Sequence, residues 1–213
     1  MNGPTFVRSR KPGKEGHHLP DQARTAIHEA GHACYALVHR IRFRRVCIQK
    51  EEDEWSGALI FSDRKTGEKH KGRLEKKAYV RDLEIAEHFS GETGLAAEMT
   101  REIYMTLAGM DVAGVFAEFL LAGIDGNQPL EKALSGPDKK SFFKWAGLAI
   151  QAGMTSEGVA KELREIFNEL DRYRGFISDL ADMLIRKNLV PYGECRSLFE
   201  RTKERLMADA ACG

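Results

Sequence analysis

The stretch "TAIHEAGHACYALVHR", Thr25–Arg40, sets two histidines and a glutamate inside an apolar helical pattern. At its centre His28-Glu29-Ala30-Gly31-His32 reads H-E-x-x-H. Histidines four positions apart on an α-helix lie about 40° apart around the axis and one turn along it, so both imidazoles reach one cation. Glu29 points beside that face, within hydrogen-bond reach of a water on the metal but not itself a ligand. Zinc draws the pKa of such a water toward about 7, and the carboxylate takes its proton as it attacks a carbonyl. The same five residues also fit a surface helix with two histidines and a solvated glutamate. The flanks "AI" and "ACYALV" give the helix an apolar face under either reading.

Composition frames the choice. At 213 residues the chain can bury a sizeable core as one domain, and 42% hydrophobic with 31% charged residues describe an ordinary globule. A net charge of +1 argues against a protein built to grip phosphate backbones, so no nucleic-acid partner is expected. Cys34, Cys47, Cys195 and Cys212 form no C-x-x-C pair, which disfavours a thiolate zinc knuckle and suggests free thiols in a reducing cytosol. The first twenty residues lack the apolar run of a secretory signal. No stretch is expected to span a bilayer, and the location expected is cytoplasmic.

Outward from the opening helix, residues 1–20 read as a flexible arm whose His17-His18 pair is solvated. Asp21 is expected to cap the helix, which runs to about Val38–Arg40. "RRVCIQK" (44–50) and "SGALIFSD" (56–63) alternate and are joined by the acidic turn "EEDEW", a hairpin signal. The basic "RFRR" (42–45) suggests a strand edge that discourages aggregation. Residues 64–94 read as a charged connection or flap, with a possible helix near "KKAYVRDLEIAEHF" and with His70 and His88 inside it. "REIYMTLAGMDVAGVFAEFLLAG", from Arg101, is apolar on most faces and reads as a central buried helix. Further helices are expected over about 138–152 and after Thr155 as N-cap, and a last one started by Pro191. His39 is expected to face solvent, Cys34 to point away from the metal face, and Asp111 to be structural or on the surface. The fold class is mainly α (α+β): a helical domain over 21–210 with a small hairpin or sheet beside the H-E-x-x-H helix.

"AIHEAGHA" (26–33) resembles the zinc helix of the FtsH-like M41 metallopeptidase family. "LAGMDVAGVFAEFLLAG" (107–123) is similar to that family's "LGGRAAEE" helix, and "LSGPDKKSF" (134–142) to its "GASNDL" segment. "AGLAIQAGMTSE" (146–157) and "LADMLIRKNLVPYGECRSLF" (180–199) resemble later segments in the same order. The resemblance implies a zincin-like domain in which His28, His32 and Asp138 bind Zn²⁺ and Glu29 is the general base. Asp138 corresponds to the aspartate of the family's "SND" segment, with Pro137 in place of the asparagine before it and Lys139 in place of the leucine after it, and "SGPD" is also a helix-start signature. Glu118 matches a family glutamate near the zinc. It is an alternative third ligand, or a group that hydrogen-bonds a ligating histidine, since a lone glutamate in an apolar helix needs a partner. The resemblance also places the hairpin near the cleft, where "SGALIFSD" would bind extended substrate as an edge strand.

The expected activity is zinc-dependent hydrolysis of peptide bonds in peptides or unfolded protein. The sequence holds no G-x-x-x-x-G-K-[ST], so no ATP is expected to bind. The family's motor module and membrane anchor are not expected here, which leaves a homo-oligomer or a separate unfoldase as partners to consider. The alternative reading is a catalytically weak binding or regulatory protein that keeps the metal site.

Overall fold

The computed structural model describes residues 20–61, 94–121 and 129–212. The expectations for the N-terminal arm, for His17-His18, and for the 64–94 connection with His70 and His88 lie outside the described residues.

Helix α1 (Asp21–Val38) buries Ala26, Ala30, Ala33, Cys34 and Leu37, a run at three- and four-residue spacing that forms one continuous stripe. Its N-cap is Pro20 rather than Asp21, with no side-chain cap hydrogen bond. The Arg24 N–H already closes the first turn on the Pro20 carbonyl at 3.1 Å, so Asp21 falls inside the helix. There its carboxylate still favours the positive end of the helix dipole.

Strands β1 (Arg45–Glu51) and β2 (Glu54–Ile60) form the expected antiparallel hairpin, pairing Val46 with Leu59, Ile48 with Gly57 and Glu51 with Glu54. Both strands extend into the acidic segment, leaving a two-residue loop in which Glu52 takes φ 54°. A third strand, β3 (Leu189–Pro191), pairs on the other side of β1, giving the order β2-β1-β3. Arg45 therefore lies on the central strand, and the expectation of a basic edge at "RFRR" fails. The edge facing the H-E-x-x-H helix is β2, which has no strand partner on its far side among the described residues.

Helix α2 (Gly94–Leu121) begins before Thr100 and is the buried centre of the protein. Its segment Glu98–Leu121 is long and apolar enough to cross a membrane by length and composition, contrary to the expectation that no stretch would be. Most of that segment is buried, because α1 and the helices after α2 pack around it. The approach of α1 is close. A Cβ on Gly31 would sit 2.5 Å from the Ala113 carbonyl oxygen and 2.6 Å from the Ala117 Cβ. Only glycine on one side and alanine on the other let the two backbones come this near.

A single turn, α3 (Leu130–Ala133), leads to α4 (Gly136–Gln151). Helix α5 (Ser156–Arg172) opens on Thr155, whose Oγ1 accepts the Gly158 N–H at 3.0 Å, the expected N-cap. The pattern breaks at Tyr173, and α6 (Arg174–Lys187) ends on Asn188 in the left-handed region. Pro191 closes β3 instead of starting the last helix, α7 (Tyr192–Cys212). The architecture is mainly helical with one small antiparallel sheet.

Candidate metal centre

Three elements far apart in sequence meet at one point. Helix α1 brings His28 and His32, one turn apart, with ring centroids 4.7 Å apart and the rings crossed edge to face. Helix α4 brings Asp138 from its first turn, where Ser135 is the N-cap. The His28 and His32 Nε2 atoms lie 3.0 Å apart, and the Asp138 Oδ2 is 3.3 Å from the first and 3.6 Å from the second. The His28 and Asp138 side chains remain partly open to solvent.

The second nitrogen of each ring fixes its tautomer. His28 Nδ1–H donates to Glu118 Oε1 at 2.6 Å, and His32 Nδ1–H donates to the Met110 carbonyl at 2.7 Å. Both acceptors lack hydrogens to give, so Nδ1 must be the donor in each ring. When neutral, each imidazole then aims an Nε2 lone pair at the same place as the Asp138 oxygen. Two lone pairs and an anionic oxygen at these separations require a positive charge between them.

A proton on His28 meets that need in the metal-free protein, and a metal ion in its place would meet it too. Zinc bonds of about 2.0–2.1 Å in tetrahedral geometry set neighbouring donor atoms about 3.3 Å apart. The three observed separations, 3.0, 3.3 and 3.6 Å, bracket this value. Two imidazoles, one carboxylate and an open side form a donor set that suits catalytic zinc. The residues fit the group.

The electrostatics follow from the same contacts. Burial pulls the His28 imidazole down, but hydrogen bonds to Asp138 and Glu118 outweigh it and raise the group to about 10. For Asp138, burial pushes the carboxyl up, and the hydrogen bonds from His28 and His32 reverse this and hold it well below the usual range. Burial likewise works against Glu118, which His28 and Arg24 together keep below its ordinary value. Glu29 is the exception. Its burial raises the carboxyl above the usual range, and the two imidazoles only partly offset the rise.

Glu29 is buried between α1 and β2. Its side chain occupies the space over Gly57, where a Cβ would lie 2.3 Å from the glutamate Cγ and 2.6 Å from its Oε1. Gly114 of α2 makes similar room for His28, since a Cβ there would lie 2.5 Å from Nε2. Thus the sheet edge positions the candidate base and the central helix positions a candidate ligand.

The structure brings His28, His32 and Asp138 together and places Glu118 behind His28, on the far side of the ring from the cluster. With its oxygens engaged by His28 Nδ1 and by Arg24 Nε, Glu118 stands outside the three-residue cluster and hydrogen-bonds one of its members. Asp111 is buried on α2 outside the cluster, which leaves the structural half of its expectation. Cys34 is buried and lies apart from the donors, as expected. His39 meets its expectation in part: it is half-buried, its ring tilted against Tyr35 at 4.1 Å between centroids and its Nε2 3.2 Å from Glu169 Oε2. Sequence reasoning missed Arg24, the Met110 carbonyl, Gly57 and Gly114. Only Arg24 left a signal, as a cation one turn before His28. No family model, no curated protein and no solved structure matches the chain.

Proposed function

We propose that the chain is a zinc-dependent peptidase of the FtsH-like M41 type, which hydrolyses peptide bonds in peptides or unfolded segments without consuming ATP. The observation that carries this reading is the meeting of His28 Nε2, His32 Nε2 and Asp138 Oδ2 within 3.0–3.6 Å, beside the buried Glu29. His28, His32 and Asp138 would hold the ion. When bound, zinc supplies a Lewis acid that acidifies water and polarises a carbonyl oxygen.

The chain's own residues supply the remainder. Glu29, its carboxyl raised by burial, accepts the proton of the attacking water at a carboxylate oxygen and later delivers it to the leaving amine nitrogen. The Glu118 carboxylate and the Met110 carbonyl keep the two imidazoles turned toward the site. The outer edge of β2, unpaired among the described residues and next to Glu29 through Gly57, offers backbone N–H and C=O groups to which an extended substrate can add as a strand. That mode of binding suits flexible segments rather than folded protein.

Metal content and peptide cleavage measured on wild type, His32→Ala and Glu29→Gln test the proposal. Wild type should carry one zinc per chain and His32→Ala should lose it. Glu29→Gln should keep the zinc and lose about 10²–10⁴-fold in cleavage. Equal zinc in wild type and His32→Ala sinks the metal site. Zinc retained in wild type with no cleavage across a broad peptide library sinks the peptidase and leaves a metal-holding binding protein.

A further inference from the structure

We infer that Arg24 is a positioning residue for the metal site, acting through Glu118 on His28. The inference rests on the metal reading above. Arg24 and His28 are four residues apart on α1, so both side chains lie over one face of the helix. Glu118, from α2, faces both. Its Oε2 accepts from Arg24 Nε at 2.7 Å and its Oε1 accepts from His28 Nδ1 at 2.6 Å. One carboxylate thus uses one oxygen for each partner.

The contrast in exposure shows why the arginine matters. The Glu118 side chain is 7% exposed and the Arg24 side chain 51%. A buried carboxylate on an apolar helix needs a compensating cation and a fixed rotamer. Arg24 reaches in from solvent and supplies both through its planar guanidinium. Anchoring Oε2 leaves the other oxygen in one place, against Nδ1. That contact keeps the His28 Nε2 lone pair on the side of His32 and Asp138. Among the described residues, Arg24 is the group that meets the Glu118 carboxylate from the solvent side, with His28 on the other. Because the guanidinium is half exposed, its removal takes little packing from the core.

The test uses the full chain loaded with Co²⁺ as a spectroscopic stand-in for Zn²⁺, and reads affinity by competition with a chromogenic chelator. Arg24→Gln should weaken Co²⁺ binding about ten- to a hundredfold and alter the intensity of its visible absorption. The metal-free variant should lose some thermal stability with its compensating cation but still melt cooperatively, so that affinity is read on folded protein. Arg24→Lys, which keeps the charge, should recover most of the affinity. Arg205→Gln, which breaks the remote pair with Asp179, should have no effect on the metal. In a Glu118→Gln background, Arg24→Gln should cost nothing further, because the route runs through that carboxylate. Wild-type affinity and spectrum in Arg24→Gln overturn the inference while the metal site stands. Fully additive losses in the double variant overturn the route through Glu118. If wild type takes up no Co²⁺ or Zn²⁺, the metal reading falls first and the inference with it.

Discussion

Gly57 and Glu29 are in contact across the join between β2 and α1, so close that a methyl group on the glycine would overlap the glutamate side chain at 2.3 Å. The overlap falls on Cγ and Cδ, in the middle of a buried side chain that cannot swing aside without moving its carboxylate. Gly57→Ala should therefore displace the proposed base while the donors on α1 and α4 stay in place. The expected outcome is a loss of at least about tenfold in peptide cleavage, following the sensitivity of proton transfer to placement, with zinc content unchanged. Metal analysis beside a cleavage assay checks this, and unchanged turnover would remove Glu29 from its assigned position.

Gly31→Ala tests the scaffold instead. The added methyl meets the Ala113 carbonyl oxygen and the Ala117 Cβ, both on α2, so the helices must part. Overpacking of this kind costs about 1–3 kcal/mol, and in a chain of this length each kcal/mol lowers Tm by about 2–4 °C. A thermal melt should show the loss in metal-free protein, where the site itself contributes no bound ion. A melt at the wild-type temperature would mean that α1 and α2 pack less closely than described.

The metal-free protein should weaken toward alkaline pH, and metal should prevent this. His28 lies at about 10 in the fold against 6.5 as its ordinary value. A group raised in this way gives stability that is full below about 6.5 and is lost as pH rises through about 10. Asp138 works at the other end: its folded value is depressed, so its share is present above 3.8 and fades as pH falls below it. After chelation, Tm should therefore fall between pH 7 and pH 10. With zinc bound, the imidazoles carry no proton at Nε2 to lose, and the decline should flatten. Parallel pH slopes for the two forms would argue against His28 as a ligand.

Cys34 and Cys195 should resist alkylation in the native state. Burial pushes the Cys34 thiol well above its ordinary range, and burial with the nearby Glu194 carboxylate raises Cys195 to about 12. The thiolate is the nucleophile, and neither group supplies it at neutral pH. Iodoacetamide followed by peptide mapping should find both unmodified until denaturant is added. Rapid native labelling of either would show that α1 or α7 opens.

How much of this could be read from the sequence depends on how far apart the cooperating residues are. The His28–His32 pair was legible because helical spacing alone puts both rings on one face. Asp138 was reachable only through the order of later segments, since no local pattern tells that α4 starts beside α1. The hairpin declared itself by alternation, whereas β3 is three residues long and shows no period. Its Pro191 looks like a helix start for the same reason. The apolar α2 was correctly read as central, but its length and composition also meet the test for a membrane helix, and only its neighbours separate the two. The half-burial of His39 was not legible because its partners, Tyr35 and Glu169, lie on a helical turn below it and on a different helix. Gly57, Gly114 and the Met110 carbonyl carry no side-chain chemistry to recognise, so their roles emerge only from contact distances.

The donor atoms of His28 and Asp138 come from positions 110 residues apart. An unfolded chain cannot present them together, so an ion that needs both can bind only the folded form. Each tenfold rise in free metal above the dissociation constant then adds about 1.4 kcal/mol to the folded state by mass action. On the proposed metal reading, metal supply would set how much of this protein persists: a chain without the ion would be unfolded more often and cleared sooner, before any question of catalysis arose.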